Sequence, residues 1–393
     1  MAARVEGSAG EVFLAFLRLG LTSFGGPIAH LGYFRAEFVE RRRWLGERTY
    51  ADLVALSQFL PGPASSQTGF AIGLLRGGPL GGLAAWTGFT VPSAILLVLF
   101  AYGATGIAGS ALGAGVLHGL KLVAVAIVAQ AVLGMARSLC PDRARASIAV
   151  AALALAVAAP GSLAQVGAIL LGGLAGLWFC RDAGAGLPES IHLPVSRRAG
   201  VVCLVLFFLL LALSFVPVPS AAVALFDAFY RSGALVFGGG HVVLPLLRDA
   251  VVTPRWVPDG AFLAGYGAAQ AVPGPLFTFA AYLGAVIGGV PGAVVALLAI
   301  FLPGILVLVG TLPFWTALRS YGGAQAAMRG INAAVVGLLG AALYDPVWTS
   351  AVQGRADFAI AAAGFVLLVA WRTPPLVVVV LSAAAGLLGA AFG

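Results

Sequence analysis

Long apolar runs dominate this chain, and they are interrupted where a helix cannot continue. Residues 11–24 form an apolar segment too short to span a bilayer, and it ends at Phe24-Gly25-Gly26-Pro27. A second segment, 28–42, carries His30, Arg35, Glu37 and Glu40 and runs into Arg41-Arg42-Arg43. The two together predict a broken or re-entrant element. Segments 49–60 and 64–75 predict a helical hairpin folded at Pro61-Gly62-Pro63, because each proline removes an amide donor and clashes with the turn before it. Each arm falls well short of the roughly 20 residues a span needs. Full spans follow at 82–102 and 114–137. Shorter ones at 146–159 and 163–180 flank Pro160-Gly161, and 181–198 is the longest polar linker, followed by a further span at 199–216.

The pattern then repeats. Phe24-Gly25-Gly26 recurs 213 residues on as Phe237-Gly238-Gly239, with Arg18 matching Arg231 and Arg35 matching Arg248 at the same offset. Arg43-Trp44 recurs as Arg255-Trp256, and Gln58-x-x-Pro61-Gly62-Pro63 as Gln270-x-x-Pro273-Gly274-Pro275. Such an ordered series means two homologous halves. The predicted organisation is a first repeat over 11–180, a linker with a connecting transmembrane helix over 181–218, and a second repeat over 219–391. Placing 35–48 in the cytoplasm puts Arg143, Arg145, Arg181, Arg197 and Arg198 there too. Inverting the second half adds Arg319 and Arg372, so positive-inside bias favours inverted repeats. The fold class is an all-α polytopic membrane protein whose two halves are inverted repeats with discontinuous, re-entrant helices. Paired broken helices of this kind point to a midplane transport site.

Composition supports this. Of 393 residues, 61% are hydrophobic and only 9% charged, more apolar surface than a soluble domain can hide. The runs are continuous rather than alternating, which excludes a transmembrane barrel. The net charge of +8 sits in short loops, where it sets topology and does not indicate nucleic acid. Cys140, Cys180 and Cys203 show no paired spacing, so neither a disulfide framework nor a metal site is indicated. No cofactor is implied, and residues 1–10 do not predict a cleavable signal.

The broken segments also carry the candidate chemistry. Pro63 suits a helix start, and the free amides of Ala64, Ser65 and Ser66 would then face a cavity, since broken backbone survives at membrane depth only against protein or water. Helix starts attract anions. Ser65, Ser66 and Gln67 add side-chain donors; the alternative is that the two serines merely cap the helix. Gly25, Gly26, Gly238 and Gly239 allow close backbone approach, though tight helix packing would use glycine equally, and Gly62 and Gly274 of the two Pro-Gly-Pro turns join the predicted binding residues. Gln58, Gln270 and Thr278 complete the predicted binding set. Arg18, within an apolar segment, is the stronger anion-attracting candidate, because Arg231 has Asp227 one turn away. Lys121 is a further candidate, and Arg35 and Arg248 lie nearer loops.

The Phe-Gly-Gly-Pro element, the basic cluster ending in Trp and the repeated Gln-x-x-Pro-Gly-Pro resemble the chromate ion transporter (CHR) family, in its long two-domain form, over roughly residues 11–180 and 219–391. The resemblance implies a protein of the bacterial cytoplasmic membrane that extrudes chromate and confers chromate resistance, with sulfate as competitor and the proton-motive force as driver. Gly240 in place of Pro27, and Leu276-Phe277-Thr278 in place of Ala64-Ser65-Ser66, depart from equal roles for the two sites. The ion is therefore expected nearer the first hairpin. His30 and His241 are the candidates for a group that titrates. A transporter for sulfate or another oxyanion, and a passive anion channel, are the competing readings. An enzyme is not expected, since no hydrolase or Walker-type motif occurs.

Overall fold

The computed structural model describes residues 7–107, 110–159, 162–181, 195–237 and 240–392, and these are helical with no strand among them. Most of the predicted linker 181–198 lies outside the described residues. In the first half, α1 (Ala9–Thr22) is capped by Ser8, whose Oγ accepts from Glu11 N at 3.1 Å. After Gly25, α2 (Gly26–Phe34) runs on as a π-helical stretch, Arg35–Arg41. Then comes α3 (Glu47–Phe59), followed by α4 (Ala64–Ile107).

Helix α4 is not one rod. Gly77 and Gly78 leave helical geometry, with Gly78 at φ +65°, and a Cβ built on Gly73 would lie 2.4 Å from the carbonyl oxygen of Gly81. Residues eight apart touch only where the chain folds back on itself. An inner arm, 64–76, and an outer arm, 79–107, therefore form a tight hairpin. Its glycines let the backbones meet.

One cluster shows where these pieces begin and end. The carbonyl of Arg76 accepts the Gly7 N–H at 3.1 Å. The Arg76 guanidinium meets Glu11 at 3.3 Å and lies 5.2 Å from the centre of the Trp44 ring. The start of α1, the end of the α2 segment and the end of the inner arm thus share one membrane face. Both broken elements are re-entrant, as the apolar pattern predicts. The chain then continues through the outer arm, α5 (Ala111–Leu139), α6 (Arg143–Ala158), α7 (Ser162–Phe179) and α8 (Arg197–Leu213). Five passes put the second half on the opposite face, so the repeats are inverted.

The second half replays the first through α9 (Ala221–Ala234), α10 (Val243–Val251), α11 (Asp259–Ala269) and α12 (Phe279–Thr311). Gly288 and Gly289 break α12 as Gly77 and Gly78 break α4. A short α13 (Trp315–Ser320) leads to α14 (Gly322–Ala342), α15 (Thr349–Ala351), α16 (Arg355–Val369) and α17 (Pro375–Phe392). The halves interlock: α5 packs against α16 and α17, while α14 packs against α6 and α7. At these crossings a Cβ on Gly119 would lie 2.1 Å from the Ser382 carbonyl, and one on Gly330 would lie 2.0 Å from that of Gly172. Large apolar side chains such as Leu14, Leu99, Phe208 and Val380 are exposed, as a lipid-facing belt requires.

Candidate functional site

The four helix interruptions converge. The Gly62 N–H donates to the Val236 carbonyl at 2.7 Å, and the Gly274 N–H donates to the Ser23 carbonyl at 2.9 Å. These are repeat-equivalent bonds, each tying one half's Pro-Gly-Pro turn to the other half's Phe-Gly-Gly break. A Cβ on Gly240 would meet Pro27 Cγ at 3.2 Å. Pro27 and Gly240 occupy matching positions, so this contact lies on the pseudo-two-fold axis. Pro61, Gly62, Pro63, Pro273 and Pro275 are buried or nearly so. Gly62 (φ +117°) and Gly274 (φ +98°) are left-handed, a conformation that suits glycine.

At the first turn the Pro63 carbonyl accepts the Gln67 N–H at 2.9 Å. The helix therefore starts at Ala64, and its first three amides have no intrahelical acceptor. His30 and Ser66 are buried (0% and 5% exposed), and His30 Nδ1 lies 3.4 Å from Ser65 Oγ. His30 Nε2 and Ser66 Oγ are enclosed without a hydrogen-bond partner. Buried polar atoms are normally satisfied, so this is a place where polar atoms await a partner. Gln67 differs from its expected role. Its amide nitrogen donates to Pro61 O and Gly304 O, both at 2.9 Å. With both hydrogens used on carbonyls, Gln67 clips the turn to the second half and leaves an anion only an acceptor oxygen.

The second turn shares the backbone and lacks this lining. It enters a 3-10 turn, Leu276–Thr278, and Thr278 Oγ1 returns its hydrogen to Pro275 O at 2.7 Å. Phe279, in the place of Gln67, packs on Phe262 and Tyr266 at 5.2 and 5.7 Å between ring centres. Gln270 Nε2 is enclosed without a partner, while Gln58, its repeat mate, is exposed. His241 Nδ1 lies 2.7 Å from the Tyr266 hydroxyl. Gly238 and Gly239 lie outside the described residues.

Several other candidates fall elsewhere. Arg18 is exposed on α1, on the same side of the helix as exposed Leu14 and Leu21, so it does not line the convergence. Arg231 donates to the Ser214 carbonyl at 2.7 Å and stacks over Phe215. Arg35 is bridged to Glu40 and Glu47 at 2.5 and 2.7 Å, and its mate Arg248 to Asp259 at 3.0 Å. Both brace a re-entrant helix against the hairpin beside it. Lys121 reaches α11, where a Cβ on Gly260 would meet Nζ at 2.9 Å. Gly26 has open space where a Cβ would be, so its left-handed φ of +76°, not close approach, calls for glycine; Gly25, at φ +100°, would in addition bring a Cβ within 3.1 Å of Ala29 Cβ.

Sequence reasoning missed Ser23, Ser57 and Thr90, whose hydroxyls are also enclosed without partners. It also missed the hydrogen-bond contact of His118 Nε2 with Asp357 Oδ1 at 2.8 Å, which joins α5 to α16 across the halves. Hydroxyls in apolar runs were the available signal for the first three. The His118–Asp357 contact, between residues far apart in the chain, leaves none.

Comparison with known proteins agrees with the two-part layout. The family model described as "Chromate transporter" matches residues 10–177 and 223–387. The chain is 30% identical to the chromate transport protein of Pseudomonas aeruginosa, over 96% of this chain and 91% of that protein. It is 26% identical to the chromate transport protein of Cupriavidus metallidurans, over 84% and 80% respectively. A probable chromate transport protein of Synechococcus elongatus is 27% identical over 84% of this chain and 82% of its own length. No solved structure matches the chain.

Proposed function

The chain belongs to the chromate transporter family as a multi-pass protein of the bacterial cytoplasmic membrane, and from that premise we propose that it is a secondary active transporter that extrudes chromate. The anion is held at the start of the inner arm, by the amides of Ala64–Ser66 and the hydroxyls of Ser65 and Ser66. The observation that carries this reading is the pair of enclosed, unpartnered atoms Ser66 Oγ and His30 Nε2 beside that helix start. A tetrahedral dianion accepts hydrogen bonds on every oxygen, and charge-assisted bonds of this kind are about twice as strong as neutral ones. The helix dipole adds positive potential without a fixed charge that would trap the ion.

His30 supplies the coupling. It is the titrating group beside that helix start, with Nδ1 3.4 Å from Ser65 Oγ, and a protonated imidazole would offer two donors where the neutral ring offers one. Proton loss on the other side would weaken the site and free the anion, so proton and anion cross together, and the inside-negative potential drives the net negative complex outward. Inverted repeats meeting at the midplane are the architecture that lets one site face each side in turn.

The test is chromate uptake into proteoliposomes under imposed pH and voltage gradients. Transport should require and follow the pH gradient, and Ser66→Ala should reduce it. Flux that ignores the pH gradient and merely dissipates the anion gradient would make the protein a channel. Preference for sulfate over chromate would make it a sulfate carrier.

A further inference from the structure

The two halves close differently at the faces where their re-entrant helices begin. At the first half's face a continuous chain of charges spans the mouth. Glu11 pairs with Arg76 at 3.3 Å. The Trp44 ring has Arg76 and Arg42 at 5.2 and 5.3 Å. Arg42 pairs with Glu37 at 2.6 Å, and Glu37 also pairs with Arg41. This ties α1, the α2 segment and the inner arm together.

The matching positions of the second half hold Ala224, Ile287, Trp256, Pro254 and Ala250. Only the tryptophan is kept, and none of the charges is. In place of a closure there is a cleft of about 630 Å³, lined among others by Ser214, Asp227, Arg231, Leu235, Asp249 and Trp256. Its Leu235 side lies one residue short of Val236, whose carbonyl takes the Gly62 N–H at the convergence.

We infer that the chain from Glu11 to Glu37 is the cytoplasmic gate, drawn closed, and that the cleft beside Arg231 is the exit vestibule of an outward-open state. The charge of the cleft agrees with release: two carboxylates face one guanidinium, and that guanidinium is already engaged by the Ser214 carbonyl. A dianion arriving there is repelled onward, not captured. The inverted symmetry supplies the other state, in which the gate parts and the first half opens a matching cleft around Ala15, the counterpart of Ala228. In the present state Ala15 and Ala228 are both buried, at 1% and 2% exposed, and half-buried Leu235 is the position that reports the cleft.

This rests on the transport reading above, and cysteine labelling without chromate separates the two. With Cys140, Cys180 and Cys203 replaced by alanine, Leu235→Cys should react with a membrane-impermeant maleimide from the outer face, and Ala15→Cys should stay silent from the inner face. Adding Arg76→Gln or Glu11→Gln should raise inner labelling of Ala15→Cys and slow outer labelling of Leu235→Cys, each by about five- to tenfold, given what a part-exposed ion pair and a cation–π contact contribute. The exchanged pair Glu11→Arg with Arg76→Glu should move both rates back toward the starting values. Gate variants that leave both rates unchanged overturn the proposal, as does a Leu235→Cys protein unlabelled from outside, or an exchanged pair that behaves like the single variants. If labelling follows expectation while Ser66→Ala transports chromate normally, the gate stands and the anion site falls.

Discussion

At Pro61-Gly62-Pro63 and at Pro273-Gly274-Pro275 one backbone design carries two linings. Both turns are left-handed at glycine and both donate an amide to the opposite half. The first is then held by Gln67, through hydrogen bonds to Pro61 and Gly304. The second is held by aromatic packing of Phe279 on Phe262 and Tyr266. Free hydroxyl and imidazole atoms collect at the first, whereas at the second the Thr278 hydroxyl is spent on its own turn. Symmetry persists where the two halves must fit each other, and it lapses where the proposed guest would be met. On the proposed reading, the second turn is a mechanical partner to the first.

The shared part of that comparison should break hardest. Gly62→Ala places a Cβ 3.0 Å from Gly304 Cα, and Gly274→Ala places one 3.1 Å from the Phe89 carbonyl, each at positive φ. A left-handed residue costs about 1–2 kcal/mol and overpacking about 1–3 more. Both variants should therefore lower the thermal midpoint in detergent by similar amounts. A large loss at one and none at the other would mean the turns are not mechanically equivalent.

Next, Gln67→Leu strips the Pro61 carbonyl of its side-chain donor and the helical Gly304 carbonyl of a second one, at about 1–3 kcal/mol for the first. It should destabilise the protein clearly in the same melt. A variant as stable as wild type would return Gln67 to the anion.

Ser66→Ala and Thr278→Ala separate the linings. A hydrogen bond to a charged group is worth about 1.5–3 kcal/mol, so Ser66→Ala should weaken chromate transport roughly tenfold or more. Thr278→Ala should transport nearly as wild type, and equal losses would remove the asymmetry. The smallest effect belongs to Arg35→Gln and Arg248→Gln. Exposed or part-exposed pairs such as theirs contribute about 0–1 kcal/mol, so stability and uptake should change little in either.

The breaks, the hairpins and the repeat were legible in sequence because Pro, Gly and short apolar arms act locally. The offset that links Phe24-Gly25-Gly26 to Phe237-Gly238-Gly239 reappears in space as the bonds Gly62–Val236 and Gly274–Ser23. Sequence gave no sign that each turn would grip the other half rather than its own. Gln67 looked like a ligand because a carboxamide in an apolar run is all that sequence shows; its acceptor, Gly304, is more than two hundred residues away. Arg18 looked embedded because its segment is apolar, but the helix turns it to the outside. The reversal at Gly77-Gly78 was readable in principle from Gly-Gly-Pro, yet it passed as a gap between two segments.

The interlocked long helices restrict how such a molecule can work. With α5 clasped by α16 and α17, and α14 by α6 and α7, through glycine surfaces that leave no slack, the two lobes cannot swing apart like jaws. Whatever alternates must do so inside a fixed outer frame, by small displacements of the short arms against unmoving posts. Such a carrier would turn over with little disturbance of the lipid around it.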